Sequence, residues 1–290
     1  MSNAALQACK KSAIVAAAAL SLGLATEKAE ALTVLLNFVS GPTTDRNNVG
    51  TLPESFASWG FVGMSLTDIR NATLAAVQNH YLGYPSFATN ALSPLPTGFE
   101  LNINFEWSNG QTAPINGDTE WYYMNIGDAN PNQGFLGQAC LGCVRNSAGS
   151  ATVANGTMFG SALTDTISGL LNLATGNAQR INLLAGTVTH EIGHGLNLVH
   201  PSGQAPNPGA SLWSVMATGA SPSLMPSAER VKDRDFSYGE FSTLIQTVGL
   251  RQVTVVPEPG TWLLMGLGLV AVGAGVARRK APVAAEPVAA

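Results

Sequence analysis

A histidine-rich segment in the second half of the chain has the spacing of a metal site. His190 to His200 reads HEIGHGLNLVH, so three of the four histidines of the chain fall in one short segment. Residues four apart share one face of a helix, so the imidazoles of His190 and His194 can bind the same ion. Zinc accepts three histidine nitrogens and keeps a fourth position for water. Zinc lowers the pKa of that water, and Glu191 can take its proton as general base.

The third ligand requires the chain to turn back after His194. A continuous helix would carry His200 about 9 Å further along its axis, at about 1.5 Å per residue. We expect the helix to end at Asn197, because asparagine adopts the left-handed conformation more readily than other non-glycine residues. Pro201 then prevents the helix from resuming. At the other end, Asn182 is the expected N-cap.

The segment His190–His200 resembles the metzincin zinc-protease signature HExxHxxGxxH, in its matrixin-like form. Ser214–Val215–Met216–Ala217 resembles the Met-turn of the same family, in which Met216 would lie beneath the zinc histidines. Asn197 stands where the family has glycine, and no tyrosine follows Met216 by two residues. The extra tyrosine ligand of some metzincins therefore has no counterpart here.

The resemblance implies a fold class as well as a site. A metzincin or zincin-like catalytic domain is of the α+β class and has a mixed twisted sheet with the HExxH motif on an active-site helix. A small C-terminal lobe would hold the Met-turn and a further helix. The order of elements along this chain is compatible with that layout.

Hydrophobic patterns and capping signals predict the elements of the domain. Ser65 with Asp68 and Ser237 with Glu240 have capping-box spacing, and Phe236 should staple the second helix. His80 has no other histidine near it in sequence and is expected to be an ordinary helix residue. The predicted strands are 32–39, 100–107, 120–126 and 135–144, and the predicted helices are 65–81, 164–173, 181–196 and 237–248.

The chain begins with the features of a secretory signal peptide. Lys10 and Lys11 precede a run of small apolar residues, and Ala29–Glu30–Ala31 fits the A-x-A cleavage pattern. Cleavage would remove Cys9 and leave Cys140 and Cys143. In an oxidising compartment these two most simply form a short disulfide, although a second zinc site and a redox motif share the spacing.

The C-terminal tail carries a second export signal. Pro257–Glu258–Pro259 is followed by an uncharged stretch from Thr261 to Ala277 and by Arg278–Arg279–Lys280. A plain membrane anchor shows the last two features. All three together resemble a PEP-CTERM sorting signal, which implies cleavage by an exosortase-type membrane enzyme in a Gram-negative bacterium.

The expected organisation has four parts. They are a signal peptide at 1–31, a zinc metalloprotease domain at 32–255, a sorting signal with a transmembrane helix at 256–280, and a cytoplasmic tail at 281–290. The protein would be exported across the inner membrane, held there transiently, and then released to the cell surface or the medium.

Composition and motifs together favour an exported zinc-dependent endopeptidase. Only 11% of residues are charged, the net charge is −4 and no basic patch is present, which argues against a nucleic-acid partner. The alternative is a non-catalytic cell-surface or biofilm-matrix binding protein with a vestigial zinc site. A zinc hydrolase acting on a non-peptide amide or a glycan-linked peptide also fits the motif.

Overall fold

The computed structural model describes residues 31–38, 60–108, 120–127, 136–137, 139–143, 157–161, 170 and 172–253. Every helix and strand named below lies in a compact unit that ends at Gln252. The predicted signal peptide, the predicted sorting tail and most of the predicted helix 164–173 lie outside the described residues. No helix in the described part of the chain is long and apolar enough to cross a membrane.

Parallel strands form the centre of the domain. The first, β1 (Leu32–Asn37), is buried along its whole length, which is typical of a strand covered on both faces. Val34 in β1 pairs with Phe105 on one side and with Tyr122 on the other. The sheet has the order β3-β1-β4-β5 and consists of β1 (Leu32–Asn37), β3 (Ile103–Trp107), β4 (Trp121–Gly127) and β5 (Thr157–Ser161).

The predicted mixed sheet is only partly observed. The four described strands of the main sheet are all parallel. Antiparallel pairing occurs in a separate two-stranded sheet, which joins β2 (Phe99–Leu101) to β6 (Leu250–Gln252). Within the described residues, parallel and antiparallel pairing therefore occur in two different sheets of the domain and not in one mixed sheet.

The single strand predicted at 100–107 is wrong, because the chain changes sheets at Asn102. The backbone N–H of Asn102 donates to the carbonyl of Gly249 at 3.0 Å, in the direction of the small sheet. Its carbonyl accepts from the N–H of Leu32 at 3.2 Å, in the main sheet. Asn102 thus separates β2 from β3, while the alternation of apolar and polar residues in the sequence continues across the break.

The strand predicted at 135–144 is also wrong within the described residues. Residues 140–143 form a turn closed by a disulfide between Cys140 and Cys143, with their Cα atoms 5.5 Å apart. Residues three apart in a strand would be separated by about 10 Å. A local disulfide and an extended strand are therefore incompatible at this spacing.

Helix α1 (Leu66–Leu82) supports the sheet and the histidine helix. It begins with the predicted capping box, in which Ser65 accepts from the N–H of Asp68 and the carboxylate of Asp68 accepts in return. His80 lies on this helix as expected, yet it is buried and its Nδ1 is 2.8 Å from Oγ1 of Thr189. The hydroxyl of Tyr81 donates to the carbonyl of the same threonine at 3.0 Å.

Helix α2 (Asn177–Gly195) carries the HExxH motif through the core. Its N-cap is Gly176, six residues before the predicted N-cap Asn182, which lies inside the helix. The side chain of Asn182 is engaged elsewhere, since its Nδ2 donates to the carbonyl of Val231 at 3.3 Å. The apolar face explains why Asn182 is not the cap, because Ile181 shares that face with the buried residues Leu184, Val188 and Ile192 and is itself helical.

The C-terminal part of the unit packs against α2. A 3-10 helix (Ser227–Val231) leads to α3 (Tyr238–Val248), which begins with the predicted capping box of Ser237 and Glu240. The rings of Phe236 and Phe241 are 6.5 Å apart, as the staple predicts. The carboxylate of Glu240 also accepts from the hydroxyl of Ser214, so the start of α3 is tied to the predicted Met-turn.

Candidate metal centre

The three histidines of the motif converge on one point. The Nε2 atoms of His190, His194 and His200 are 3.0–3.1 Å from one another. Two ligands of a tetrahedral zinc ion, each about 2.0–2.1 Å from the metal, lie about 3.4 Å apart. The donor type and the spacing therefore fit zinc, and within the described residues this is the one such cluster of His, Cys, Asp or Glu.

Backbone carbonyls fix the orientation of two of these rings. Nδ1 of His190 is 2.9 Å from the carbonyl oxygen of Val215, and Nδ1 of His194 is 2.8 Å from that of Leu198. A carbonyl only accepts, so each Nδ1 must carry the proton and each neutral Nε2 presents its lone pair to the centre. Burial lowers the pKa of all three imidazoles, which also favours the neutral form that binds metal.

The helix ends at the position that the sequence predicted. Asn197 has φ 71, in the left-handed region. The N–H of Asn197 donates to the carbonyl of His194, and the N–H of Leu198 donates to that of Gly193, which is a Schellman motif. This turn places the carbonyl of Leu198 against the ring of His194 and directs the chain back so that His200 reaches the other two histidines.

Met216 lies directly behind the motif. It is fully buried, and its N–H donates to the hydroxyl of Ser214 at 3.0 Å. A Cβ placed at Gly193 would lie 2.5 Å from its sulfur atom, so this close approach requires glycine within the HExxH motif. The methionine thus packs against α2 between the positions of His190 and His194.

Glu191 is almost completely buried beside the histidines. Its side chain faces the backbone of Gly137, where a Cβ would lie 2.5 Å from Oε1 of the glutamate. Burial raises the pKa of Glu191 to about 8, and the positive charge of Arg230 acts in the opposite direction. A carboxyl group with this pKa can both accept and release a proton near neutral pH.

A cavity of about 620 Å³ opens in front of the centre. We call one side the loop wall, formed by Leu136, Gly137 and Ala139, and another the arginine wall, formed by Ser227, Arg230 and Arg234. The rest of the lining is Leu170, Gly186, Thr187, His190, Glu191, His194, His200, Thr218, Gly219 and Ala220.

The disulfide turn continues the loop wall toward the end of α2. The N–H of Gly142 donates to the carbonyl of His194 at 2.8 Å. A Cβ at Gly142, where φ is 64, would lie 2.9 Å from the side-chain oxygen of Asn197. The turn held by Cys140 and Cys143 therefore packs on the Schellman motif that positions two of the histidines.

Sequence reasoning missed the residues of both walls. Gly137 lies more than fifty positions before Glu191, and Arg230 and Arg234 lie thirty or more after His200. None of the three belongs to a motif with characteristic spacing.

Comparison with known proteins identifies a sequence motif in the tail and a likeness to solved structures. Residues 255–280 match the PEP-CTERM protein-sorting motif, close to the predicted 256–280. That motif indicates a secreted protein sorted through the membrane to the cell surface and implies processing by an exosortase-type enzyme. No curated protein matches the chain.

Among solved structures, the chain is similar to the 1.5 Å crystal structure of archaemetzincin from Methanopyrus kandleri. The two are 17% identical, the match covers 76% of this chain and 97% of that chain, and the TM-score is 0.32. A likeness of this size does not establish a shared activity.

Proposed function

We propose that this protein is an exported zinc-dependent endopeptidase. The observation that carries the proposal is the meeting of three Nε2 lone pairs with a buried carboxyl group at one side of an open cavity. His190, His194 and His200 would hold the metal. When bound, zinc supplies a Lewis acid that activates water and polarises the peptide carbonyl.

Glu191 would move the proton. Its carboxylate takes a proton from the attacking water and then delivers it to the nitrogen of the leaving amine. Glu191 lines the same cavity as the three histidines, which places its carboxyl group to serve both steps. The loop wall keeps solvent from this side chain, and the ring orientations set by Val215 and Leu198 keep the nitrogen donors in place.

We further propose a matrixin-type metzincin with Met216 as its Met-turn methionine. The four-part organisation stated above, with a catalytic domain at 32–255 and a transmembrane helix in the tail, belongs to the same proposal. We also propose that the protein comes from a Gram-negative bacterium. The match at 255–280 supports the export route.

A non-catalytic surface protein with a vestigial zinc site is the second candidate. Its motivation is the sorting motif, because tails of this kind are found on many non-enzymatic surface proteins. Glu191 argues against it. A structural zinc site gains nothing from a carboxyl group that is buried beside the ligands at a cost in stability.

The test is zinc content together with peptide cleavage by the purified chain. We expect one zinc per chain and cleavage of a mixed peptide library that a chelator abolishes. The Glu191→Gln variant should keep its zinc and lose nearly all turnover. Glu100→Gln is the matched control, since Glu100 pairs with Arg251 in the small sheet, away from the cavity.

Each outcome has a clear meaning. Bound zinc without any cleavage would favour the surface-binding protein or a non-peptide substrate. Substantial turnover by the Glu191→Gln variant would remove Glu191 from the mechanism. A chain without zinc would contradict the metal site itself.

A further inference from the structure

The arginine wall brings two positive charges to the edge of the metal centre. Arg230 and Arg234 both line the cavity that contains the three histidines. Nη2 of Arg234 would lie 3.2 Å from a Cβ at Gly186, one helical turn before His190. Nη2 of Arg230 would lie 3.4 Å from a Cβ at Gly219, in the segment after the Met-turn. One guanidinium group therefore lies beside α2, and the other lies beside the segment after the Met-turn.

No acidic side chain of the described residues neutralises this wall. Glu191 is the one carboxylate that lines the cavity within that part of the chain, although the whole chain has a net charge of −4. Neither Arg230 nor Arg234 forms a salt bridge with a described residue. Glu229 attracts Arg234, but its two carboxylate oxygens accept hydrogen bonds from other side chains, those of Ser211 and Lys232.

Arg234 in particular is a buried cation that forms no salt bridge with any carboxylate of the described residues. Only 3% of its surface is exposed, and its Nε has no hydrogen-bond partner among the described residues. Its Nη1 donates to the carbonyl of Ser214 and to the sulfur of Met225, both at 3.3 Å. Burial, together with the charge of Arg230, lowers its pKa to about 9. Burying a charge in this way is unfavourable unless a partner compensates it.

We propose that Arg230 and Arg234 form a carboxylate-binding subsite of the cleft, so that this chain acts on peptides with a carboxylate close to the scissile bond. The inference rests on the peptidase function proposed above and names its substrate class. Guanidinium groups bind carboxylates through paired, charge-assisted hydrogen bonds, and arginine suits this task better than lysine. The substrate would then supply the paired anion that the two arginines do not find among the described residues.

Peptides offer such a carboxylate from two sources, an Asp or Glu side chain and a free C-terminus. In the first pair, one peptide has Asp and the other has Asn next to the cut site, and the N- and C-termini of both peptides are blocked. The second pair is neutral and differs only by a free against an amidated C-terminus. A preference in the first pair assigns the subsite to an acidic side chain, and one in the second pair assigns it to the terminal carboxylate.

The variants compare two cations of one short segment. Arg230→Gln removes a half-buried guanidinium that lines the cavity, and Lys232→Gln removes an exposed ammonium two residues away. We expect native kcat/KM to favour the carboxylate peptide at least about tenfold, mainly through KM. Arg230→Gln should reduce that ratio to near one, whereas Lys232→Gln should keep it. Arg230→Lys retains the charge and should keep part of the ratio, which separates loss of the subsite from misfolding.

Binding provides a readout that does not require turnover. Zinc-loaded Glu191→Gln protein is titrated against dye-labelled peptides of both pairs, and fluorescence anisotropy gives Kd. Tighter binding of a carboxylate peptide, lost when Arg230→Gln is added, supports the subsite even if no peptide is cleaved and the peptidase function fails. Equal affinities for the members of both pairs, or a carboxylate preference that survives Arg230→Gln, would overturn the inference.

Discussion

The two walls of the cavity act on Glu191 in opposite ways. The loop wall has no charged side chain, and it brings the backbone of Gly137 against the glutamate and removes water from it. The arginine wall places the charge of Arg230 near the same group. One wall raises the pKa of Glu191 and the other lowers it, and the outcome near 8 shows that burial dominates. A single carboxyl group thus responds to packing on one side and to charge on the other.

The largest effect should appear in the pH dependence of stability of the zinc-free chain. Glu191 keeps its proton up to about pH 8 in the folded state, against a value of 4.5 when exposed. Unfolding therefore releases a proton between these two pH values, and the contribution of Glu191 to stability falls as pH rises through this window. The histidines act in the opposite sense, because a lowered pKa costs stability as pH falls below 6.5.

Comparing Glu191→Gln with the native chain isolates the contribution of Glu191 to the pH dependence, because both proteins contain the same histidines. The variant should match the native chain near pH 4.5 and be more stable at pH 8, by on the order of 4 kcal/mol. Urea unfolding of both zinc-free chains at several pH values measures this difference. A difference that is constant with pH would show that the loop wall does not desolvate Glu191.

The next effect tests the loop wall through its glycine. A Cβ added by Gly137→Ala would lie 2.5–2.7 Å from three atoms of the Glu191 side chain. The carboxyl group must then move, and a displacement of about 1 Å at a reacting group lowers kcat about 100-fold. Gly239→Ala is the control, since a Cβ there meets no atom within 4 Å. Zinc content should be unchanged in both variants, and similar kcat values would show that this contact does not position Glu191.

Much of the site could be predicted because its determinants are local. The spacing of His190 and His194 follows from one helical turn, and the left-handed Asn197 follows from the preferences of a single residue type. Both capping boxes depend on side chains three residues apart. In each case the atoms that interact are neighbours in sequence, so a short pattern is sufficient.

The rest depends on which segments meet in the fold. Asn102 continues an alternating pattern while its backbone changes sheets, and no pattern within the strand records its partner. The sequence did not predict the early start of α2, because Asn182 is a good N-cap residue. In the fold its side chain instead donates to the carbonyl of Val231. Arg230 and Gly137 reach Glu191 only through tertiary packing. Their roles could not be read from spacing.

The arginine wall should show a smaller effect on stability than the titration of Glu191. At neutral pH, below its pKa of about 9, Arg234 is charged in both the folded and unfolded states, so its burial penalty is fully present. Arg234→Met replaces this charge with an apolar side chain of similar length. We expect the free energy of unfolding to rise by about 2 kcal/mol, since apolar replacement of buried charges is often stabilising.

That gain in stability should be accompanied by a functional loss. In the same Arg234→Met variant, the carboxylate preference of the cleft should fall, as is common when a strained functional group is replaced. Urea unfolding and the paired peptides measure the two quantities. A variant that is less stable than the native chain would mean that the hydrogen bond to Ser214 outweighs the cost of burying the charge.

The disulfide turn should give the smallest effect on stability and a distinct one on activity. Cross-linking residues only three apart removes little freedom from the unfolded chain, so Cys140→Ser with Cys143→Ser should lower the free energy of unfolding by about 1–2 kcal/mol. The turn nevertheless holds Gly142 against His194 and leads directly from the loop wall. Loosening it should let water reach Glu191 and lower kcat more than the small stability change suggests. The native chain in reductant should behave like the double variant, and the variant itself should not respond to reductant. Equal activity of all three preparations would show that packing on α2, and not the disulfide, holds the loop wall in place.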